Sequence, residues 1–270
     1  MQDVSRLIRG CIGVPFGFCS FSAVADHLLD CRAKERLPKH AKTVICFAFP
    51  YKVKDEAPKN ISRYAAVPDY HGICTEKLEK VASELKKAYP ENEFSYFADN
   101  SPIPEVYASV MAGLGVRGKN GLLITEDYGS FVFLGEIVTD MEIACAESVK
   151  HCKDCGLCLS ACPVGLDKSR CLSAVTQKKA PLTEEEEALI KKNGTVWGCD
   201  ACQNVCPHNS AAKVTDILEF SSGYRDRYIP HEDINGRAYA WRGEKVILRN
   251  ALLFDDIAQI VAAEAAADKD

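Results

Sequence analysis

The stretch "HCKDCGLCLSACPVG", His151–Gly165, decides how the rest of the chain is read. It sets Cys152, Cys155, Cys158 and Cys162 at the spacing C-x2-C-x2-C-x3-C, with Pro163 directly after the last. That is the spacing of bacterial ferredoxins. Soft thiolates suit iron, the CxxCxxC turn aims three sulfurs at one cube, and the fourth cysteine of such a run ligates the other cluster of a pair. A second run, "GCDACQNVCPHN", Gly198–Asn209, brings Cys199, Cys202 and Cys206, again closed by a proline. It is one thiol short, and Cys171, between the runs, supplies the eighth. By the crossed rule, one cluster takes Cys152, Cys155, Cys158 and Cys206, and the other takes Cys162, Cys171, Cys199 and Cys202. Two four-cysteine zinc sites are the alternative, because zinc also accepts CxxC pairs. The CxxCxxCxxxCP order and the second Cys-Pro pair favour iron–sulfur.

The composition agrees with redox or metal work. The chain has 270 residues, of which 14 are cysteine, and nine of those lie between residues 145 and 210. Cys11, Cys19, Cys31, Cys46, Cys74 and Cys145 lack ligand spacing and read as small buried residues. The opening "MQDVSRLIRGCIGVPFGF" is charged early and is not a secretory signal. No run of 18 uncharged apolar residues predicts a membrane span. A cytoplasmic protein, no membrane partner, and thiols used for ligation rather than disulfides are expected. A net charge of −5 excludes a strongly basic nucleic-acid footprint over the whole chain. The length and a 47% hydrophobic share allow one large domain and a small one.

Ahead of the cysteines, helices and strands alternate. "TVICFAFPY" (43–51) reads as a buried strand, and 70–89 as a helix with Leu78, Val81 and Leu85 on its inner face. "EFSYFAD" (93–99) is a second strand, and 103–115 a helix with Pro104 near its start and glycine at its end. Residues 120–140 read as two strands joined into a hairpin by "EDYG". The glycine-rich "AGLGVRGKN" follows a helix rather than a strand, so it is weak as a phosphate loop, and no dinucleotide fingerprint is present. In 180–194, Thr183 and Glu186 form a capping box and Gly194 stops the helix. The tail from Gly243 to Asp270 is helical by composition. The order implies an α+β chain with three consecutive parts: 1–144, an α/β catalytic domain; 145–212, a small ferredoxin-like domain; and 213–270, a short helical tail.

Two clusters relay electrons, so the chemistry belongs in the N-terminal part, on another cofactor. Here the residues resemble a known family. "FADNSPIPEVYASVMAGLGVRGKNGLLITEDYGSFVFLGEI" (97–137), "ISRYAAVPDYH" (61–71) and the two cysteine runs look like the cobalamin-dependent epoxyqueuosine reductases, tRNA-modification enzymes related to reductive dehalogenases. The resemblance implies a nitroreductase-like N-terminal domain that binds cobalamin, two 4Fe-4S clusters that feed electrons to cobalt, and reduction of epoxyqueuosine to queuosine in tRNA. It also implies a carboxylic acid at Asp99 that protonates the departing oxygen, with a pKa raised by burial. By position in the matching motifs, Tyr51, Arg63, Asn120, Leu123, Phe133, Leu134 and Leu172 are the expected cobalamin contacts.

The chain departs from the family pattern in three ways. It stops near the first helix of the family's C-terminal helical repeats, which implies a short form; the linker from Cys162 to Cys171 is short; and the net charge is negative. All three weigh against tRNA as partner. A basic tail (Arg225, Arg227, Arg237, Arg242, Lys245, Arg249) is either a phosphate-binding stripe or a solvated face. An external donor such as flavodoxin or ferredoxin is expected. The competing readings are a ferredoxin-type electron-transfer protein and a corrinoid-handling reductase with no tRNA substrate.

Overall fold

The computed structural model describes residues 2–145, 152–259 and 261. In chain order its helices and strands are α1 (Gln2–Cys11), β1 (Phe16–Ser20), β2 (Thr43–Pro50), α2 (Arg63–Ala66), α3 (Tyr70–Ala88), β3 (Phe94–Phe97), α4 (Glu105–Met111), β4 (Val116–Arg117), β5 (Leu123–Ile124) and β6 (Val132–Thr139). Then follow α5 (Leu157–Ala161), α6 (Leu172–Thr176), α7 (Glu184–Asn193), α8 (Ala201–Asn204), α9 (Leu218–Ser222) and α10 (Glu244–Ala251). The helical tail expected beyond residue 261 lies outside the described residues. The described chain forms two compact units. Residues 2–50, 70–145, 152–155 and 210–213 make the first; 51–69, 156–209, 214–259 and 261 make the second. These units are not the three consecutive parts read from the sequence: residues 51–69 and the tail both belong with the cysteine-bearing helices.

The first unit is built on a four-stranded sheet in the order β1-β2-β6-β3, antiparallel throughout. This corrects the α/β reading of the N-terminal part: no parallel pair exists in this sheet, and the class is α+β. β2 is buried along its whole length, as a strand with helices on both faces must be. Leu78 of α3 packs on the face that carries Phe49 and Gly135. Ala108 of α4 joins Val44, Cys46 and Val138 on the other. Each fully buried Phe or Ile in these layers contributes about 1.5–3 kcal/mol. The expected hairpin is also corrected. β6 takes a central place between β2 and β3, while the two-residue β5 pairs with β4 in a separate sheet. The reason is length and burial: eight apolar-rich residues can fill a two-sided central strand, and Leu123–Ile124 cannot. The glycine-rich stretch serves that small sheet. A Cβ on Gly115 would lie 2.2 Å from the Ile124 carbonyl oxygen, so glycine here permits close backbone approach rather than phosphate binding.

The second unit has two apolar clusters. Ile61, Ala65, Val196, Trp197, Tyr239 and Ile247 belong to the larger. Leu172, Val175 and Ile190 form the smaller. Side chains tie its segments together. Asn250 donates to the carbonyls of Thr176 (2.8 Å) and Val196 (2.9 Å), and Asn60 exchanges two hydrogen bonds with the Tyr228 main chain. α7 starts with the expected capping box of Thr183 and Glu186 and ends at Gly194 in the left-handed conformation. The basic tail is corrected in part. Arg237 is 4% exposed and donates to the carbonyls of Ala66 and Gly223, and Arg249 donates to those of Lys178 and Ala180. These two arginines staple backbone and present no phosphate-binding face.

Gly198 leads into the second cysteine run with φ +74°, and a Cβ there would lie 1.9 Å from Ser62 Oγ and 2.6 Å from Ser62 Cβ. Left-handed strain and overpacking act together, so Gly198→Ala is expected to lower the unfolding free energy by about 2–4 kcal/mol. Denaturant unfolding of the two proteins checks this, and an unchanged midpoint would refute it.

Candidate functional site

In the first unit the site gathers at the carboxyl end of β3 and the first turns of α3 and α4. Asp99 and Asn100 follow β3 with φ of +56° and +38°, the left-handed region that Asp and Asn tolerate better than most residues. The turn aims Asp99 back at α3, where its carboxylate lies 3.1 Å from His71 Nε2. The His71 ring stacks on Tyr70 at 4.1 Å, and Tyr70 stacks on Phe133 of β6 at 4.0 Å with the planes 8° apart. The result is a ladder of three flat rings with a half-exposed carboxylate at one end. Its packing fixes the His71 ring, and with it the Asp99 carboxylate, against the sheet.

Asp99 does not have the raised pKa expected from burial. The hydrogen bond and charge of His71 hold its carboxyl below the usual range, and the Asn100 amide adds to this. Burial acts instead on two glutamates behind it. Glu105, at the first turn of α4, is pushed up to about 7 by burial and by the Asp99 charge. Glu136 sits mid-strand in β6 and is held well above the carboxylate range, first by burial and then by Glu105. Ser101 Oγ donates to Glu136 Oε1 and accepts from the Ile103 amide (3.0 Å). Sequence reading missed both glutamates. Glu105 reads as an ordinary acidic residue at a helix start, and Glu136 as the polar member of a strand.

The other expected contacts divide between the units. Asn120, Leu123, Phe133 and Leu134 are in the first. Leu123 and Phe133 are buried and Leu134 is half-buried. Asn120 caps its own loop, with Oδ1 accepting from the Leu122 amide at 3.3 Å. Lys119 pairs with Asp154 at 2.8 Å, beside Cys155 in the first cysteine run. Tyr51, Arg63 and Leu172 are in the second unit. Tyr51 is buried, with its hydroxyl 3.4 Å from Gln203 Oε1. The Arg63 guanidinium donates to the carbonyls of Lys54, Asp55 and Glu56, and its amide donates to Asp200 (2.7 Å). Leu172 is 1% exposed and packs with Val175 and Ile190.

Of the eight cysteines expected as ligands, Cys152 and Cys155 belong to the first unit and the rest to the second. Within the second unit, α5, which carries Cys158, packs against α8, which carries Cys202. The Cys199 thiol is pushed up to about 11, first by burial, and also by Asp200, Cys171 and Cys162. Cys162, Cys171 and Cys199 are thus brought within electrostatic reach of one another. Thiols gathered close to one another are a donor set that suits an iron–sulfur cube. Among the described residues no three His, Cys, Asp or Glu side chains form a group that would hold a single metal ion.

Comparison with known proteins identifies this arrangement. Residues 32–100 match the family described as "Epoxyqueuosine reductase QueG, DUF1730", and residues 151–209 match the "4Fe-4S double cluster binding domain". The second match separates iron–sulfur from zinc, and the chain carries a double-cluster domain. The epoxyqueuosine reductase of Lactococcus garvieae is 31% identical over 253 residues, which span 83% of this chain and 72% of that protein. A crystal structure of selenomethionine-labelled epoxyqueuosine reductase superposes with a TM-score of 0.80 at 26% identity, over 93% of this chain and 80% of that one. The structure of an epoxyqueuosine reductase with an epoxyqueuosine-modified tRNA-Tyr stem loop shares the fold, with a TM-score of 0.78 at 24% identity and the same coverage of both chains. In its double-cluster cysteines, its antiparallel α+β unit and its similarity to these enzymes, the chain belongs to the epoxyqueuosine reductase family.

Proposed function

We propose that this protein reduces epoxyqueuosine to queuosine in tRNA, using two 4Fe-4S clusters and cobalamin. The observation that carries the reading is the half-exposed Asp99, bonded to His71 at the edge of the Tyr70–Phe133 stack, in a chain that also holds a double-cluster domain. Relatives named for this reaction, and a similar fold seen with a modified tRNA stem loop, support the substrate. Bound cobalamin would supply the strongly reducing centre that opens the epoxide. Among the described residues, half-buried Leu134 is an apolar candidate contact for it and Asn120 a polar one.

Removal of the oxygen as water consumes two electrons and two protons. The cysteines, at Cys152, Cys155, Cys158 and Cys206 and at Cys162, Cys171, Cys199 and Cys202, hold the relay that brings electrons singly from a donor such as flavodoxin or ferredoxin. Asp99 delivers a proton to the departing oxygen, and His71 orients the carboxylate. Arg63 acts by fixing the 54–56 loop and Tyr51 by packing beside Gln203; Leu172 supports the second cluster from within its core. In function, 1–144 is the catalytic part, 145–212 the electron relay and 213–270 the supporting tail. No helix among the described residues is long and apolar enough to cross a membrane, which is compatible with work in the cytoplasm on tRNA.

Anaerobic reconstitution with iron, sulfide and hydroxocobalamin tests the reading. About eight irons and one corrinoid per chain are expected, with turnover of an epoxyqueuosine stem loop. Full iron with no corrinoid at excess would leave an electron-transfer protein, and corrinoid without turnover would leave a cofactor-handling one.

A further inference from the structure

We propose that Asp200, a carboxylate buried inside the second cysteine run, holds a negative charge against the cluster bound by Cys199 and Cys202 and keeps its reduction potential low. The inference deepens the electron-relay reading above. It rests on the double-cluster domain and on those two cysteines as ligands of one cluster.

The placement is covalent. Asp200 follows Cys199 directly and lies two residues before Cys202. Consecutive Cα atoms are about 3.8 Å apart, so a cluster held by those two sulfurs lies beside this residue whatever its other ligands are. Asp200 is 8% exposed, and every partner named here belongs to the second unit. Both carboxylate oxygens accept hydrogen bonds. Oδ2 takes the Arg63 amide at 2.7 Å, at the start of α2, and Oδ1 takes Gln203 Nε2 at 3.2 Å. Two accepting oxygens are the pattern of the ionised form, because a neutral acid has one O–H that donates. Gln203 is also buried, and its Oε1 accepts from the Tyr51 hydroxyl at 3.4 Å. Tyr51 thereby holds the oxygen side of the Gln203 amide and leaves the nitrogen side for Asp200. Both donors to Asp200 are neutral amides, so they stabilise the charge without cancelling it. The Arg63 guanidinium donates to the carbonyls of Lys54, Asp55 and Glu56. The main chain is fixed too. The Asp200 carbonyl accepts from the Gln203 and Asn204 amides at 2.9 and 2.8 Å, and Asn209 Nδ2 donates to the Gln203 carbonyl at 2.8 Å.

A buried carboxylate without a cation against it is costly to keep. Beside a cluster it has a use. Reduction adds one electron to a group that its four thiolates already make negative. A fixed anion nearby opposes that added charge, and the exclusion of water weakens the screening. The reduced cluster is then a stronger electron donor, as a relay to a strongly reducing centre requires. One electron enters from the flavodoxin- or ferredoxin-type donor and leaves toward the catalytic part. Asp200 makes and breaks no bond. Gln203 and Tyr51 are positioning residues that act through it.

The test is a potentiometric titration of anaerobically reconstituted protein, followed by electron paramagnetic resonance, for wild type, Asp200→Asn and Asp200→Glu. The cluster concerned is the one that Cys199→Ala removes. Asp200→Asn keeps the shape and an acceptor for the Arg63 amide but removes the charge. Its potential is expected to rise so that the reduced-to-oxidised ratio at a fixed potential grows about tenfold, which is about 59 mV for one electron. Asp200→Glu keeps the charge and should stay near wild type. A purely structural anchor would not give a directed shift in one variant and none in the other. An unchanged or lowered potential in Asp200→Asn with full iron, or an equal rise in Asp200→Glu, overturns the proposal. If Asp200→Asn does not assemble both clusters, infrared difference spectra of oxidised and reduced protein with carbon-13-labelled aspartate decide. The background is Asp154→Asn with Asp167→Asn, which removes the other aspartates between Cys152 and Cys206. An ionised carboxylate band that shifts on reduction is expected, and a protonated band or no shift overturns the proposal. A wild type that assembles no cluster at Cys199 refutes the relay reading and this inference with it, whereas two clusters with an unmoved potential refute the inference alone.

Discussion

Cys199→Ala is expected to lose about four of about eight irons and to abolish turnover, because a four-iron cube needs its fourth thiolate and the relay needs both cubes. Cys199 follows Gly198, which lies too close to Ser62 to carry a Cβ, and it is within electrostatic reach of Cys162 and Cys171. The loss should leave corrinoid binding intact, since the candidate contacts Asn120 and Leu134 lie in the other unit. Cys11→Ala is the control: Cys11 closes α1, lacks ligand spacing, and its replacement should keep every iron. Iron and sulfide analysis with electron paramagnetic resonance of the reduced protein reads the outcome. A full iron complement in Cys199→Ala would show that the second cube does not use this cysteine.

The parts of the fold that could be read in advance are those where local chemistry and tertiary burial agree. Thr183, Glu186 and Gly194 mark both ends of α7 because caps satisfy backbone groups within a few residues. β2 announces itself because both its faces are covered, so no polar residue interrupts it. Pairing is non-local and was not legible in the same way: "EDYG" between two apolar runs reads as a hairpin, yet β6 pairs along its whole length with the buried β2 and at one end with β3. β1 was missed because glycine and proline break its pattern. The double-cluster domain was legible because metal spacing is a local constraint. The buried Glu136 and half-buried Glu105 were not, since nothing at either differs in sequence from an exposed acid, and only packing limits the water around them. Arg237 and Arg249 show the converse error, with charges read as a surface stripe that instead satisfy interior carbonyls.

Asp99→Asn is expected to keep both clusters and the corrinoid and to slow turnover by about 10²–10⁴-fold. The amide is nearly isosteric with the acid and can keep a hydrogen bond to His71, so the left-handed turn and the ring ladder should survive. It cannot act as a carboxylic acid, so the departing oxygen loses its donor. The stability change has a definite sign. Asp99 has a lowered pKa in the folded chain, so it contributes stability above its unfolded value of about 3.9, and that contribution is lost as pH falls through the folded value. The asparagine variant should therefore be slightly less stable at pH 7 and indistinguishable from wild type in strong acid. Because the pair is half-exposed, solvent screens the effect to about 1 kcal/mol or less. A large kinetic loss with a small stability loss is the signature of a group that serves the reaction rather than the fold. Single-turnover kinetics beside denaturant unfolding at pH 7 separates the two. Undiminished turnover in Asp99→Asn would remove Asp99 from the proton path.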